Sequence, residues 1–285
     1  MPNRTALIVD STCDIPRAWR EQYDLKVIPL TIVWGDRQYL DGVDLSAEAF
    51  YERLEKDPVH PTTSQPAPRS FVEAYRQAAE SGAQEALVFT ISSAMSGTIG
   101  AARQAANEAP LPVTVVDSLN NSMGLGWQVI AAARAREAGG DKQAMLEAAA
   151  QARRNMAYYI SLDTMEYLSK GGRIGGATKF LGTLLRIKPL IYVNPATGSV
   201  GASIPARSRV QAIDGLFKEF VKHIRPERPT HLTVLHNAAY EEAEALAERV
   251  RREIAPVEVF VSIVSPALGV HTGPRAIALC GYSEE

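Results

Sequence analysis

Short β-branched apolar runs alternate with longer amphipathic stretches from the first residues of the chain. This pattern predicts strands at 5–10 (TALIVD), 25–33, 86–91 and 113–117, with helices near 46–56, 69–81 and 97–107. Ser46, with Glu48 in the first turn, reads as a helix N-cap. Such alternation implies a mainly parallel sheet with flanking helices, whose polar strand ends gather at the carboxyl edge where ligands collect. An Ala-rich block from Gly126 to about Met156, broken at Gly139-Gly140-Asp141, predicts two helices, with Asp141 capping the second. A second set follows, with strands at 158–162, 189–193, 199–204, 230–236, 257–263 and 276–281. Its helices are expected at 164–169, 177–186, 207–224 and 239–254. The expected fold is two α/β domains, an N-terminal one over 1–157 and a C-terminal one over 158–285.

Composition narrows the function. The 285 residues are 46% hydrophobic, enough for a sizeable core, and their net charge of −2 offers no field for nucleic acid. Only two cysteines, Cys13 and Cys280, are present, which suits a reducing compartment and fits neither a disulfide framework nor a zinc cluster. No apolar stretch approaches the ~20 residues of a membrane span. The opening MPNRTALIVD has no signal-peptide core, so a cytoplasmic protein without stable membrane insertion is expected.

The usual nucleotide signatures are absent: no Walker loop occurs, and Gly124-Leu125-Gly126 lacks the third glycine of a dinucleotide fingerprint. The five histidines (His60, His223, His231, His236, His271) are scattered, and no metal is expected; His231 and His236, five apart, should face opposite sides of one strand. Three hydroxyl- or histidine-bearing segments stand out instead. Ser92-Ser93-Ala94-Met95-Ser96-Gly97-Thr98 runs from an apolar strand into a helix, a seat for an anion unless Ser93 or Ser96 is merely its cap. Thr62-Thr63-Ser64-Gln65 lies between prolines in an expected loop, and His271 lies in a Gly/Pro-rich loop over 265–274.

Taken in order, Val9-Asp10-Ser11-Thr12, Thr63-Ser64-Gln65-Pro66, Ser92-Ser93-x-x-Ser96-Gly97-Thr98, Val116-Asp117-Ser118, Gly171-Gly172-Arg173-Ile174 and Gly269-x-His271-x-Gly273-Pro274 resemble the DegV family along essentially the whole chain. The resemblance implies a two-domain carrier of a long-chain fatty acid (such as palmitate), with the ligand buried near the domain interface and no cofactor or chemistry of its own. A separate fatty acid kinase subunit, dihydroxyacetone-kinase-like, would phosphorylate the bound carboxylate with ATP. By the same resemblance Thr63 and Ser96 would bind the carboxylate, Ser93 would assist, His271 would sit beside them and Arg173 would face the same region. Two departures are visible. Arg275 stands where the family usually has glycine, adding a cation near the mouth or altering the His271 loop. Ala206-Arg207-Ser208-Arg209-Val210 is less basic than usual, though Arg207 and Arg209 could still dock a kinase.

The chemistry suits such a ligand. A carboxylate leaving water must recover hydrogen bonds, while each buried CH₂ contributes roughly 0.8 kcal/mol, so a long tail brings on the order of 10 kcal/mol before ordering costs. Phe180, Leu181, Leu184, Leu185, Ile187, Leu190, Ile191, Tyr192 and Ile204 are candidate tail contacts. Two other readings remain open. One is an acyl-ester hydrolase or acyltransferase using Ser93 or Ser96 with His271, for which Asp117 is the orienting candidate, although the G-x-S-x-G elbow is missing. The other is a sugar or nucleotide phosphate binder at the Ser96 helix end.

Overall fold

The computed structural model describes residues 5–178 and 187–285. Four parallel strands form the first sheet in the order β2-β1-β6-β7: β1 (Thr5–Asp10), β2 (Leu25–Ile28), β6 (Glu85–Thr90) and β7 (Val113–Asp117). The single strand expected over 25–33 is broken at Pro29, which has no N–H for a ladder. Its second half becomes β3 (Thr31–Trp34), the centre of a separate antiparallel sheet with β4 (Arg37–Leu40) and β5 (Thr62–Ser64). The proline-bracketed hydroxyl cluster is therefore strand β5, not a loop. Helices α1 (Arg17–Gln22), α2 (Ala47–Leu54), α3 (Pro68–Glu80) and α4 (Thr98–Ala106) accompany these sheets. Ser46 caps α2 through its hydroxyl as expected.

A six-stranded sheet in the order β10-β9-β8-β13-β11-β12 follows, antiparallel except for the last pair. Its strands are β8 (Met156–Ser161), β9 (Leu190–Val193), β10 (Val200–Ala202), β11 (Thr230–His236), β12 (Glu258–Ile263) and β13 (Ile277–Ser283). Helices α7 (Glu166–Lys170), α8 (Arg209–Val221) and α9 (Tyr240–Glu253) belong to this half. The segment 265–274, expected as a loop, contains helix α10 (Pro266–Thr272). The helix expected at 177–186 and the tail contacts Phe180, Leu181, Leu184 and Leu185 fall largely or wholly outside the described residues.

The two large sheets share one core. Helix α5 (Ser122–Glu137) is buried from Ser122 through Ala133, and its apolar residues lack a one-sided stripe because both sheets cover it. Trp127 packs in one continuous cluster with Val9 of β1, Phe89 of β6, Ile160 of β8 and Cys280 of β13. Gly126 permits the close approach: a Cβ there would stand 2.6 Å from the Cys13 carbonyl oxygen. Helix α6 (Lys142–Arg154), capped by the Asp141 carboxylate, packs against α5. Both cysteines are free and buried.

Candidate functional site

In the first sheet the chain turns to one side of β1 to form β2 and later to the other to form β6, so the strand order reverses between β1 and β6. Ligands of open α/β sheets bind beyond the carboxyl ends at such a point. Asp10 closes it internally: its carboxylate accepts from Ile91 N (2.6 Å), Thr12 N (3.0 Å) and Thr12 Oγ1 (2.6 Å). Burial pushes its pKa up to about 6 despite these hydrogen bonds.

Beyond this latch lies a cavity of about 110 Å³, the space in which the centre of a water molecule can move. Its mouth carries Thr63, Ser64 and Gln65 of the β5 region, Ser96, Arg173 and His271. Its walls are mostly apolar, with Ile91 and Leu30 from the first half and Ile160, Ile191, Val193 and Val200 from the second, and Thr12, Asn121 and Thr272 add polar groups. Strand periodicity explains the wall and corrects part of the tail assignment. Ile191 and Val193 face the cavity, whereas Leu190 and Tyr192 point to the opposite face, packing with Phe217 and Tyr159. Ile204 is 63% exposed and is no wall residue, while Ile187 packs on the shared core.

Pairing of β5 with β3 sets Thr63 opposite Ile32 and aims its hydroxyl at α10, where Thr63 Oγ1 lies 3.0 Å from His271 Nε2. Burial, helped by the nearby Arg173 and His60, holds the His271 pKa down at about 4, so the ring is neutral at pH 7. If the ring proton sits on Nε2 it donates to Thr63 Oγ1, leaving the threonine proton free for an anionic ligand. Nδ1 has no partner among the described residues and presses against Gly171, where a Cβ would stand 2.1 Å away. Arg173 is exposed; its Nε donates to Met95 O (3.3 Å) and its Nη1 to Gly171 O (2.8 Å). Two carbonyls thus aim a guanidinium at the mouth without neutralising it. Ser96 Oγ lies 2.9 Å from Thr98 Oγ1 and accepts weakly from Thr98 N (3.3 Å) at the start of α4.

Thr63, Ser96, Arg173 and His271 therefore share one cavity. Ser93 does not: it is exposed, off the cavity wall, and its N–H donates to Asp117 Oδ1 (3.2 Å). Asp117 also accepts from Leu119 N, a loop-shaping role, and no hydrogen bond joins it to His271 among the described residues. No Ser–His hydrogen bond forms among the described residues, since Ser96 bonds Thr98 and His271 bonds Thr63. Arg275 occupies the left-handed region (φ 61°), a conformation that glycine adopts without a Cβ penalty. Its charge helps to hold the Glu242 carboxyl below the usual range, and Arg275 is not among the residues lining the cavity. Arg209 is bound bidentately by Glu242 (2.8 and 2.9 Å), so it is committed within the fold, whereas Arg207 is exposed. His231 packs on Trp127 while His236, on the other face, packs on Tyr240, as their spacing requires. Among the described residues no group of three or more His, Cys, Asp or Glu side chains could hold a metal, and no helix is long and apolar enough to cross a membrane.

A mixed α/β protein with a polar-mouthed, apolar-walled cavity between its sheets is the class this geometry defines. The family described as "Uncharacterised protein, DegV family" matches residues 4–284. A DegV domain-containing protein of Streptomyces coelicolor is 37% identical over 281 residues, covering 98% of both chains. Among solved structures, a fatty-acid-binding DegV family protein from Thermus thermophilus superposes with a TM-score of 0.92 at 33% identity, covering 98% of this chain and 99% of that one. DegV of Bacillus subtilis, described as a fatty acid binding protein, gives 0.90 at 26% identity, with 98% and 99% covered. The chain belongs to the DegV family.

Proposed function

We propose that this protein binds a long-chain fatty acid, with its carboxylate at Thr63 and Ser96 and its tail along Ile160, Ile191, Val193 and Val200. The observation that carries the reading is that Thr63, Ser96, His271 and Arg173 line the same cavity as the aliphatic side chains of Leu30, Ile91, Ile160, Ile191, Val193 and Val200. The fatty-acid-binding relatives of the same fold support it. The tail supplies most of the affinity, and the mouth needs only to orient the head group. We further propose that the protein performs no chemistry itself and presents the carboxylate, in the cytoplasm, to a separate ATP-dependent kinase that forms an acyl phosphate. Neutral His271 and an Arg173 already shared with two carbonyls suit that role, because neither clamps both carboxylate oxygens. The division at 157/158 is proposed as the domain boundary, supported by the start of the six-stranded sheet at Met156.

Denaturing the purified protein, extracting it with organic solvent and identifying the extract by mass spectrometry tests the binding. A stoichiometric long-chain fatty acid is the expected result. A blank extract, repeated after incubation with mixed fatty acids and washing, would reject it. Transfer of radioactive phosphate from ATP to the bound lipid, only when a cognate kinase is added, tests the presentation step.

A further inference from the structure

Helix α10 carries His271 but is only seven residues long, too short to be stable on its own hydrogen bonds. It must be clamped from outside. At its first end the Asp14 carboxylate accepts from Ser265 N (2.9 Å) and the Asp41 carboxylate from Ala267 N (3.2 Å). At its last end a single amide does the corresponding work. Asn237, next after β11 and 1% exposed, donates from Nδ2 to Thr272 Oγ1 (2.8 Å) and to Gly273 O (2.6 Å). Its main chain is also tied in, donating to Ala276 O (2.9 Å) and accepting from Arg275 N (2.7 Å). Thr272 gives its own proton to Leu268 O (3.0 Å), so its hydroxyl can only accept from Asn237. Gly273, at φ 70°, ends the helix with its N–H on Gly269 O (2.8 Å).

Both side-chain contacts of Asn237 fall within two residues of His271. They demand two donors on one atom: a carboxylate supplies none, a hydroxyl one, and an alkyl group would take the donor from both the buried Gly273 carbonyl and the half-buried Thr272 hydroxyl. We propose that Asn237 is a positioning residue that sets the His271 imidazole against Thr63, shaping the head-group site without touching the ligand. The inference leans on the fatty-acid reading only for its binding readout.

The test uses the full chain with Asn237→Ala, Asn237→Ser and, as a control, Leu246→Ala, a cavity in the buried α9 core apart from the clamp. Two quantities are read beside thermal stability: the titration of the His271 ring by ¹⁵N NMR without ligand, and the Kd for palmitate by fluorescence displacement. Asn237→Ala should move the His271 midpoint upward from about 4 and weaken palmitate roughly tenfold, the equivalent of one lost hydrogen bond. Asn237→Ser, which keeps one donor, should fall between, and Leu246→Ala should lower Tm alone. An Asn237→Ala protein that loses Tm while its His271 titration and palmitate Kd match wild type would overturn the proposal. Should Asn237→Ala fail to fold, an unchanged Asn237→Ser would overturn it equally. Wild-type protein that takes up no palmitate would defeat the fatty-acid reading, and the ligand-free His271 titration would still decide the role of Asn237.

Discussion

The two ends of helix α5 sit in opposite electrostatic worlds. At its C-terminal end Arg134 grips Glu258 with two hydrogen bonds (2.7 and 3.0 Å), and His231 lies between Glu258 and Glu284. Burial alone would raise the Glu258 pKa, but the hydrogen bonds from His231 and Arg134 bring it down to about 2. Burial likewise pulls His231 down, and its two carboxylate partners outweigh that, so its net shift is upward. At the N-terminal end the signs are reversed. Burial pushes Asp14, bonded to Ser122, up to about 6, and Asp41 up to about 7, while His271 falls to about 4. The far end pairs its charges; the cavity end desolvates them and leaves donors facing a space. Pairing serves stability, whereas unspent hydrogen-bonding capacity is what a ligand head group can use.

The contrast is broken most strongly by pH. His271 has a folded pKa of about 4 against an ordinary value of 6.5. Its depressed pKa means the unfolded chain binds the proton more readily. The stability it contributes is therefore complete above pH 6.5 and lost as pH falls toward 4, about 3 kcal/mol in all. His231, shifted upward, behaves oppositely: its contribution is complete below 6.5 and lost as pH rises through its folded pKa. Chemical denaturation of His271→Asn and His231→Asn beside wild type, from pH 4 to 9, should show the two differences closing in opposite directions. Parallel curves would erase the distinction between the ends.

Next in size, Glu258→Ala leaves Arg134 and His231 half-buried without their carboxylate and should cost about 2 kcal/mol. Fatty-acid affinity should stay at wild type, since the network lies at the other end of α5. Denaturant titration with a parallel binding isotherm checks both. Thr63→Ala should show the mirror image: affinity down roughly tenfold, or about 1.4 kcal/mol, with little change in Tm. The smallest effect belongs to Ser93→Ala. Exposed and off the cavity wall, it should change neither stability beyond about 0.5 kcal/mol nor affinity measurably. A loss of binding there comparable to that of Thr63→Ala would show that the head-group site extends outside the cavity.

Periodicity reached the major elements because strands such as β6 and helices such as α3 bury one consistent face or a continuous run. It failed where length was too short to show a period. β5 is only Thr62–Ser64 between prolines, and its pairing with β3 is a tertiary fact. Helix α10 did leave a signal in Ser265-Pro266, since proline favours the first helical position, but the glycines after it read as loop. Thr63, Ser96, Arg173 and His271 were legible through ordered motifs, and the fold brings them to one cavity. Ser93 belongs to the same hydroxyl run as Ser96, but the turn after β6 leaves it exposed and off the cavity wall. Asp14, Asp41 and Asn237 leave no signal in the sequence, and Asp10 stands in a motif that does not show its latch role, because each acts on main-chain N–H or carbonyl groups brought near by folding.

The burial of α5 by both sheets also bears on how the molecule comes apart. A helix whose Trp127 packs with β1, β6, β8 and β13 at once cannot release one half without exposing the other's core. The proposed division at 157/158 would then be a boundary of topology and not of cooperativity. Slow-exchanging amides of α5 should open only with the global unfolding of the chain, and a fragment ending at 157 would expose to water the apolar side of α5 that the six-stranded sheet covers.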